Sequence, residues 1–134
     1  MKQKFTKKDG EKALNNTKKQ AEATLKDKKK TLHVLDDAMK KMGELPMIGD
    51  AFKDIPTLCD VIRDYVKGNY KEIPVASIIA ALAALIYFVS PVDVIPDFIP
   101  VIGYLDDATV IAVALQFIHS DLEEYRKWKE EQQA

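Results

Sequence analysis

The stretch from Ser90 to Asp107, SPVDVIPDFIPVIGYLDD, decides how the rest of this chain is arranged. It holds three prolines, four aspartates and one glycine among bulky apolar residues. Pro96 and Pro100 lack the backbone N–H that a helix needs, so they stop any helix that enters the stretch. Strongly apolar segments flank it on both sides. We therefore expect a stiff Asp/Pro loop that reverses the chain between two apolar helices.

Several residues of this stretch have clear structural tasks. Ser90 can cap a short helical turn, Pro91 suits its first position, and Asp93 can reach back to the Ser90 amide. Asp106 and Asp107 fall in the first turn of the next helix, where the helix dipole favours negative charge. The residues predicted to form this structural motif are Ser90, Pro91, Pro96, Pro100 and Gly103.

The four aspartates are also the candidate binding site. We call Asp93, Asp97, Asp106 and Asp107 the aspartate set. Two carboxylates on a stiff loop that face two others at a helix start can hold a divalent cation through oxygen ligands. Repulsion among the four is relieved by a cation or by a basic partner. Their spacing matches no EF-hand, so whether they bind a metal stays open.

The apolar segment before the loop carries no charge from Ile73 to Val92. Pro74 and Pro91 bracket about sixteen helical residues, roughly 24 Å in length. A membrane core is about 30 Å thick and needs about twenty residues, so this helix does not span it comfortably. Two interpretations remain: a hairpin buried in a protein core, or a hairpin that dips into one leaflet, because the helix is apolar on all faces.

The two apolar helices are suited to close contact, because small residues let backbones approach. The alanines expected at the contact are Ala76, Ala80, Ala83 and Ala84 before the loop, and Ala108, Ala112 and Ala114 after it.

The N-terminal part has a helical pattern from about Glu11 to Met42, ended by Gly43 and Pro46. Apolar residues recur every three, four or seven positions and predict one long amphipathic helix with a narrow seam. We expect the seam to pack on its own domain or on a second copy of the chain. Its members are Leu14, Ala21, Leu25, Leu32, Leu35, Met39 and Met42.

Charge is distributed unevenly although the net charge is −1. Residues 1–30 hold eleven lysines against four acidic residues, a balance of +7, whereas residues 31–134 hold nine basic and seventeen acidic ones, a balance of −8. A basic arm on an acidic body is suited to anionic partners such as lipid headgroups. The alternatives are a solvated helix face and an arm that docks on its own acidic body.

The rest of the chain also reads as helical. Pro56 suits the start of a helix that Gly68 ends. After the second apolar helix, the charged segment 119–134 is expected to project into water and fray, while Tyr125 and Trp128 close the edge of the core.

Other chemistry is sparse. The single cysteine, Cys59, excludes an internal disulfide and suits a reducing compartment. His33 and His119 have no metal-ligand pattern around them. There is no Gly-rich phosphate loop, and the basic arm lacks arginine, so we do not expect nucleic-acid binding. We predict no cofactor and do not expect an enzyme.

The run YFVSPVDVIPDFIPVIGYLDDATV, residues 87–110, resembles the YkvA-like family, also called domain of unknown function 1232. The matching pattern is S-P-x-D-x-I-P-D-x-I-P-x-x-G-x-x-D-D, and the resemblance covers about Asp54 to His119. It implies a small bacterial protein, often predicted to associate with membranes, in a family without an established activity. The basic helix before Gly43 lies outside the shared region.

These observations predict an all-α small helical bundle with a long N-terminal amphipathic helix and an apolar hairpin joined by the Asp/Pro loop. We divide the chain into a basic helix, 1–45, and a helical domain, 46–134. We expect a non-enzymatic protein in the cytoplasm or on the cytoplasmic face of the membrane, with the lysine-rich helix on anionic lipid. The alternatives are a protein-binding or self-associating module and a cation-dependent site at the aspartate set.

Overall fold

The computed structural model describes residues 7–44, 52–89 and 105–133. Over these ranges the chain is an all-α helical bundle, as predicted, with six helices and no strand. The helices are α1 (Lys7–Leu25), α2 (Lys28–Glu44), α3 (Ile55–Lys67), α4 (Val75–Val89), α5 (Leu105–Phe117) and α6 (His119–Gln133).

Helix α4 is the centre of the bundle. From Ser77 to Phe88 every residue is buried except Ile79, which is half-buried. Helices α1, α2, α3 and α5 all pack on it. An uncharged helix without a polar face gains free energy only when every side is covered, and the four neighbours provide that cover. The charge-free segment is therefore the core of the bundle.

Helix α5 packs against α4 and completes the predicted hairpin. Ala80, Ala83 and Ala84 are fully buried, as expected of small residues at a helix contact. Ala76 and Ala112 were expected in the same strips but are exposed. No helix within the three described ranges combines the length and the apolar character that crossing a membrane requires.

The single N-terminal helix predicted over 11–42 is two helices instead, α1 and α2. The break falls at Asp27, whose Oδ1 accepts a hydrogen bond from the Lys30 amide at 3.2 Å and so caps α2. The buried hydroxyl of Thr31 donates to the carbonyl oxygens of Thr24 and Asp27 at 2.9 and 3.0 Å. Local side-chain hydrogen bonds of this kind compete with a continuous helix, and here they prevail.

The apolar seam packs on its own chain. Leu14, Ala21 and Leu35 are at most 3% exposed, because α1 and α2 lie against α4. Met39, the outermost seam residue, is 40% exposed. The buried members of the seam therefore pack on this chain's own core, which is the first of the two expectations.

Helix α3 has the predicted bounds and caps. Pro56 lies in its first turn, and Gly68 ends it with φ 85°, a left-handed conformation that glycine adopts without strain. Leu58, Val61 and Ile62 are fully buried on its inner face.

The charged C-terminal segment does not project into water, contrary to the expectation. Helix α5 ends before Ile118, which is 1% exposed, and Leu122 and Tyr125 of α6 are buried. Arg126 Nη2 lies 2.9 Å from Asp54 Oδ1, and Lys129 Nζ lies 3.2 Å from Asp64 Oδ2. Asp64 belongs to α3 and Asp54 immediately precedes it, so the sequence of segment 119–134 alone does not reveal these partners.

The contacts define two ends of the bundle. At the loop end, where α4 finishes and α5 begins, Phe52 and Lys41 meet Phe88. The Cys59 thiol donates to the Leu35 carbonyl oxygen at 3.8 Å, midway along α3 and α2. These contacts make α2 antiparallel to α3, so the first turn of α2 lies at the opposite end.

That opposite end, where α3 turns into α4, we call the turn end. Ser77 donates a short hydrogen bond to the Asp121 carboxylate, which ties the start of α4 to the start of α6. Phe117, the last residue of α5, therefore lies toward the same end as Val75.

Candidate functional site

Most of the predicted motif lies outside the described residues: Ser90, Pro91, Asp93, Pro96, Asp97, Pro100 and Gly103. Asp106 and Asp107 lie in the first turn of α5, at the loop end, and their side chains are outside the described part of the chain. The helix start predicted just before them is confirmed at Leu105. The role of the aspartate set stays a prediction.

The end of α4 that leads into the Asp/Pro loop is held by a cation and two rings. Lys41 Nζ donates a hydrogen bond to the Phe88 carbonyl oxygen and lies 4.8 Å from the centre of the Phe88 ring. The Phe52 ring lies 5.6 Å from the Phe88 ring, centre to centre. A positive charge on the last carbonyls of a helix satisfies them and complements the helix dipole. Lys41 therefore ties α2 to the last turn of α4.

Sequence reasoning missed Lys41 because Lys40 and Lys41 are alike in composition. Lys41 lies three residues after buried Ala38 and so shares its face of α2, and this spacing is the signal that separates it from exposed Lys40.

The basic N-terminal part of the chain forms a lysine-rich surface on α1 and α2. Eight lysines on α1, α2 and the turn between them are exposed, and we call them the lysine set. No ion pair between described residues involves any of them. Within these ranges the positive charge of the set is not neutralised by an ion pair. Its members are Lys8, Lys12, Lys19, Lys26, Lys28, Lys29, Lys30 and Lys40.

A second polar cluster joins α3 to α6 around Asp64. Its Oδ2 accepts hydrogen bonds from the Tyr125 hydroxyl at 2.6 Å and from Lys129 Nζ at 3.2 Å, and Oδ1 accepts from Asn69 Nδ2 at 3.3 Å. Burial acts to raise the pKa of Asp64, but these three donors and the Lys129 charge outweigh it, so the pKa is below its ordinary value. Burial and the Asp64 carboxylate raise the pKa of Tyr125, which stays a donor.

Aromatic rings cover this cluster. Tyr70 lies 5.2 Å from the Tyr125 ring and 4.9 Å from the Trp128 ring, centre to centre. The prediction that Tyr125 and Trp128 close the edge of the core is confirmed. Because the chain's own donors occupy its carboxylate oxygens, Asp64 links α3 to α6.

A groove of about 340 Å³ runs between α1 and α5. Phe117 stands at its side with 56% of its surface exposed, and Lys18 Nζ lies 5.1 Å from the centre of its ring. The groove thus combines an exposed aromatic ring with a cation. Its lining residues are Glu11, Leu14, Asn15, Lys18, Val113, Gln116 and Phe117.

The remaining candidates fit structural roles. Burial raises the pKa of the Cys59 thiol to about 12, so it is protonated and unreactive in the folded chain. His33 is exposed and lies 3.3 Å from the Asp37 carboxylate. Among the described residues, no three His, Cys, Asp or Glu side chains are grouped to hold a metal.

The sequence of the chain is similar to those of known proteins. Residues 77–113, which run through α4, the Asp/Pro loop and most of α5, match the family described as "Protein of unknown function (DUF1232)". The chain is also similar to a Bacillus subtilis (strain 168) protein described as "Uncharacterized membrane protein YkvA". The two are 36% identical over 75 residues, which is 56% of this chain and 71% of the relative. No solved structure matches the chain.

The fold and the matched segment define a class of small all-α bundles in which a buried apolar helix leads into an Asp/Pro loop. Within that class, the chain belongs to the YkvA-like family, DUF1232. The resemblance seen in the residues around Ser90–Asp107 is confirmed.

Proposed function

We propose that this protein is a non-enzymatic component of the cytoplasmic face of a membrane, where the lysine set contacts anionic lipid headgroups. The observation that carries the proposal is the lysine set itself, eight exposed lysines without an ion-pair partner among the described residues. The relative described as a membrane protein supports the same assignment.

The energetics favour attachment to the surface by charge. A lysine close to an anionic leaflet contributes about 1 kcal/mol, and the attraction fades over a Debye length of about 8 Å at physiological salt. Several lysines on one surface therefore give reversible, salt-sensitive binding. The part of α4 from Ser77 to Phe88 is covered by α1, α2, α3 and α5 and stays inside the bundle.

Vesicle co-sedimentation tests the proposal. The protein should bind vesicles that contain phosphatidylglycerol at low salt, release them at about 0.5 M salt because the charges are screened, and ignore pure phosphatidylcholine. Replacement of Lys12, Lys19, Lys28 and Lys29 by glutamine should weaken binding. The control replaces Lys53 and Lys127, exposed lysines outside the lysine set, and should bind nearly as the unaltered protein does. A protein that stays unbound at low salt would rule the proposal out.

The other functions expected from the sequence lead to separate tests. Self-association would use side chains other than Leu14, Ala21 and Leu35, which are covered by this chain. Light scattering at high concentration that shows a strict monomer would remove it. For a cation at the aspartate set, Mg²⁺, Ca²⁺ or Mn²⁺ should raise the melting temperature, and the Asp97→Asn variant should abolish the rise.

A further inference from the structure

The turn end of the bundle carries a cluster of exposed lysines. Besides four members of the lysine set, it holds exposed Lys67 from the last turn of α3 and exposed Lys71 from the α3–α4 turn. We call this group the lysine pole: Lys26, Lys28, Lys29, Lys30, Lys67 and Lys71.

The position of these lysines at the turn end follows from the direction of the helices. Lys41 of α2 meets Phe88 at the loop end, and Leu35 lies beside Cys59 midway. Helix α2 has 17 residues and is about 25 Å long, so its first turn lies at the turn end. Exposed acidic side chains at this end include Glu22, Asp27, Glu72 and Glu124, fewer than the six lysines of the pole.

Folding alone does not explain three of the lysines. Lys28, Lys29 and Lys30 occupy the first turn of α2, where the helix dipole is positive and cations are unfavourable. All three are exposed, so they contribute little to packing. A local rule broken without a structural gain marks a surface kept for function.

Apolar side chains accompany the lysines. Phe117 and Val75 are 56% and 51% exposed, the highest values among the large apolar side chains of the described residues. The hydrogen bond from Ser77 to Asp121 brings the start of α4 and the end of α5 together, so both side chains lie toward the turn end. Lys18 Nζ lies 5.1 Å from the Phe117 ring centre, which adds a cation beside the aromatic ring.

We propose that the turn end is the face that docks on the membrane: the lysine pole binds anionic headgroups, and Phe117 and Val75 enter the interface. The loop end, where α4 finishes and α5 begins, then points away from the lipid. This inference rests on the proposed membrane association and specifies its orientation.

An anionic lipid surface fits this face better than a protein partner does. Four to eight clustered lysines are typical of segments that bind acidic lipid. Lysine is a flexible point charge, suited to a fluid layer of headgroups, whereas fixed bidentate recognition uses arginine. A phenylalanine beside such lysines is typical of interfacial attachment.

Matched charge variants test the orientation. The pole variant replaces Lys28 and Lys29 by glutamine. The control variant replaces Lys53 and Lys127, exposed lysines outside the lysine set, of which Lys53 follows Phe52 at the loop end. Both remove two positive charges, so only position differs. The pole variant should bind phosphatidylglycerol vesicles at least tenfold more weakly than the unaltered protein, and the control variant less than threefold more weakly.

Thermal melting separates loss of binding from loss of fold. The pole variant should melt no lower than the unaltered protein, because it removes cations from a helix N-terminus. If the control variant loses binding and the pole variant keeps it, the docking face is wrong although membrane association stands. If the unaltered protein ignores the vesicles, both proposals are overturned.

A fluorescent probe reads the orientation directly. Cys59 is buried, so a cysteine introduced on the surface is the one that a thiol-reactive NBD dye labels. Phe117→Cys places the dye at the turn end and Glu44→Cys, at exposed Glu44, places it at the loop end. On anionic vesicles the dye at position 117 should brighten and shift to the blue, and the dye at position 44 should not change. The reverse pattern would overturn the proposed orientation.

Discussion

Helices α4 and α6 contain 15 residues each, yet the bundle holds them in opposite ways. Four helices pack on α4, which contains no charged residue. Helix α6 is mostly charged and is held by side chains that reach across to α3, among them Tyr125, Arg126 and Lys129. The stability of α4 therefore depends on volume and apolar area, and that of α6 on a few directed polar contacts that respond to pH and salt.

The largest effect is expected from a cavity beneath the centre of α4. Leu85 is fully buried, so Leu85→Ala removes apolar area and leaves a void, with an expected loss of about 2–5 kcal/mol in the free energy of unfolding. The control on α6 is Glu124→Ala at an exposed position, which should change it by less than about 0.5 kcal/mol. Urea denaturation measures both. A loss below about 1 kcal/mol at Leu85 would contradict the central place of α4.

A smaller effect is expected from the hydrogen bond that links α6 to α3. Tyr125→Phe keeps the buried ring and removes the hydroxyl that donates to the Asp64 carboxylate at 2.6 Å. A hydrogen bond to a charged group contributes about 1.5–3 kcal/mol, so urea denaturation should show a loss of that size. Tyr65→Phe on α3, at a half-buried position, serves as the control and should be nearly neutral. Equal effects of the two changes would show that the hydroxyl of Tyr125 adds nothing.

The pH dependence of stability should distinguish the two regions as well. The pKa of Asp64 is lower in the folded state than its ordinary value of about 3.9, so its contribution is present above that value and is lost as pH falls through the folded pKa. Asp64→Asn should thus be less stable than the unaltered protein at pH 7, and the difference should shrink below about pH 4.

The control for this series is Asp60→Asn on the same helix, where the carboxylate lies 3.2 Å from Arg63 three residues away. Its stability profile should run parallel to that of the unaltered protein more closely than the Asp64→Asn profile does. Melting temperatures measured from pH 7 down to pH 2.5 provide the comparison. A constant difference between Asp64→Asn and the unaltered protein would contradict the assignment.

The smallest effect is expected at the outer ion pair of α6. Arg126 lies 2.9 Å from Asp54 with both side chains partly exposed, so Arg126→Gln should cost about 0.2–1 kcal/mol at low salt and less at 1 M salt. Urea denaturation at the two salt concentrations checks this. A cost that does not fall with salt would indicate that Arg126 acts through packing.

The sequence predicts the helices wherever the signal lies within one segment. Proline at a helix start and glycine at a helix end gave α3 its bounds, because these residues restrict the backbone locally. An uncharged run between two prolines gave α4 for the same reason. The break at Asp27 was missed because a continuous lysine-rich pattern masks a single cap, and the two threonine hydrogen bonds form only once the chain has turned.

The candidate site is less predictable, because it depends on which ends of the helices meet. The four aspartates can be recognised in the sequence because they lie close together. Lys41 becomes distinct from its neighbour Lys40 only when α2 lies along α4. Likewise, Lys30 and Lys71 are 41 positions apart in the sequence and share one end of the bundle through the antiparallel course of α2 and α3.

The all-round burial of α4 has a consequence for how the protein is made. Three of the helices that cover it, α1, α2 and α3, precede it in the chain, and only α5 follows. At roughly 5–20 residues per second, the ribosome takes about 1–6 s to add the chain from Val89 to Phe117. During that interval one side of an uncharged helix stands open. Stalled chains with residue 89 outside the ribosome should bind an apolar dye, and chains that include α5 should not.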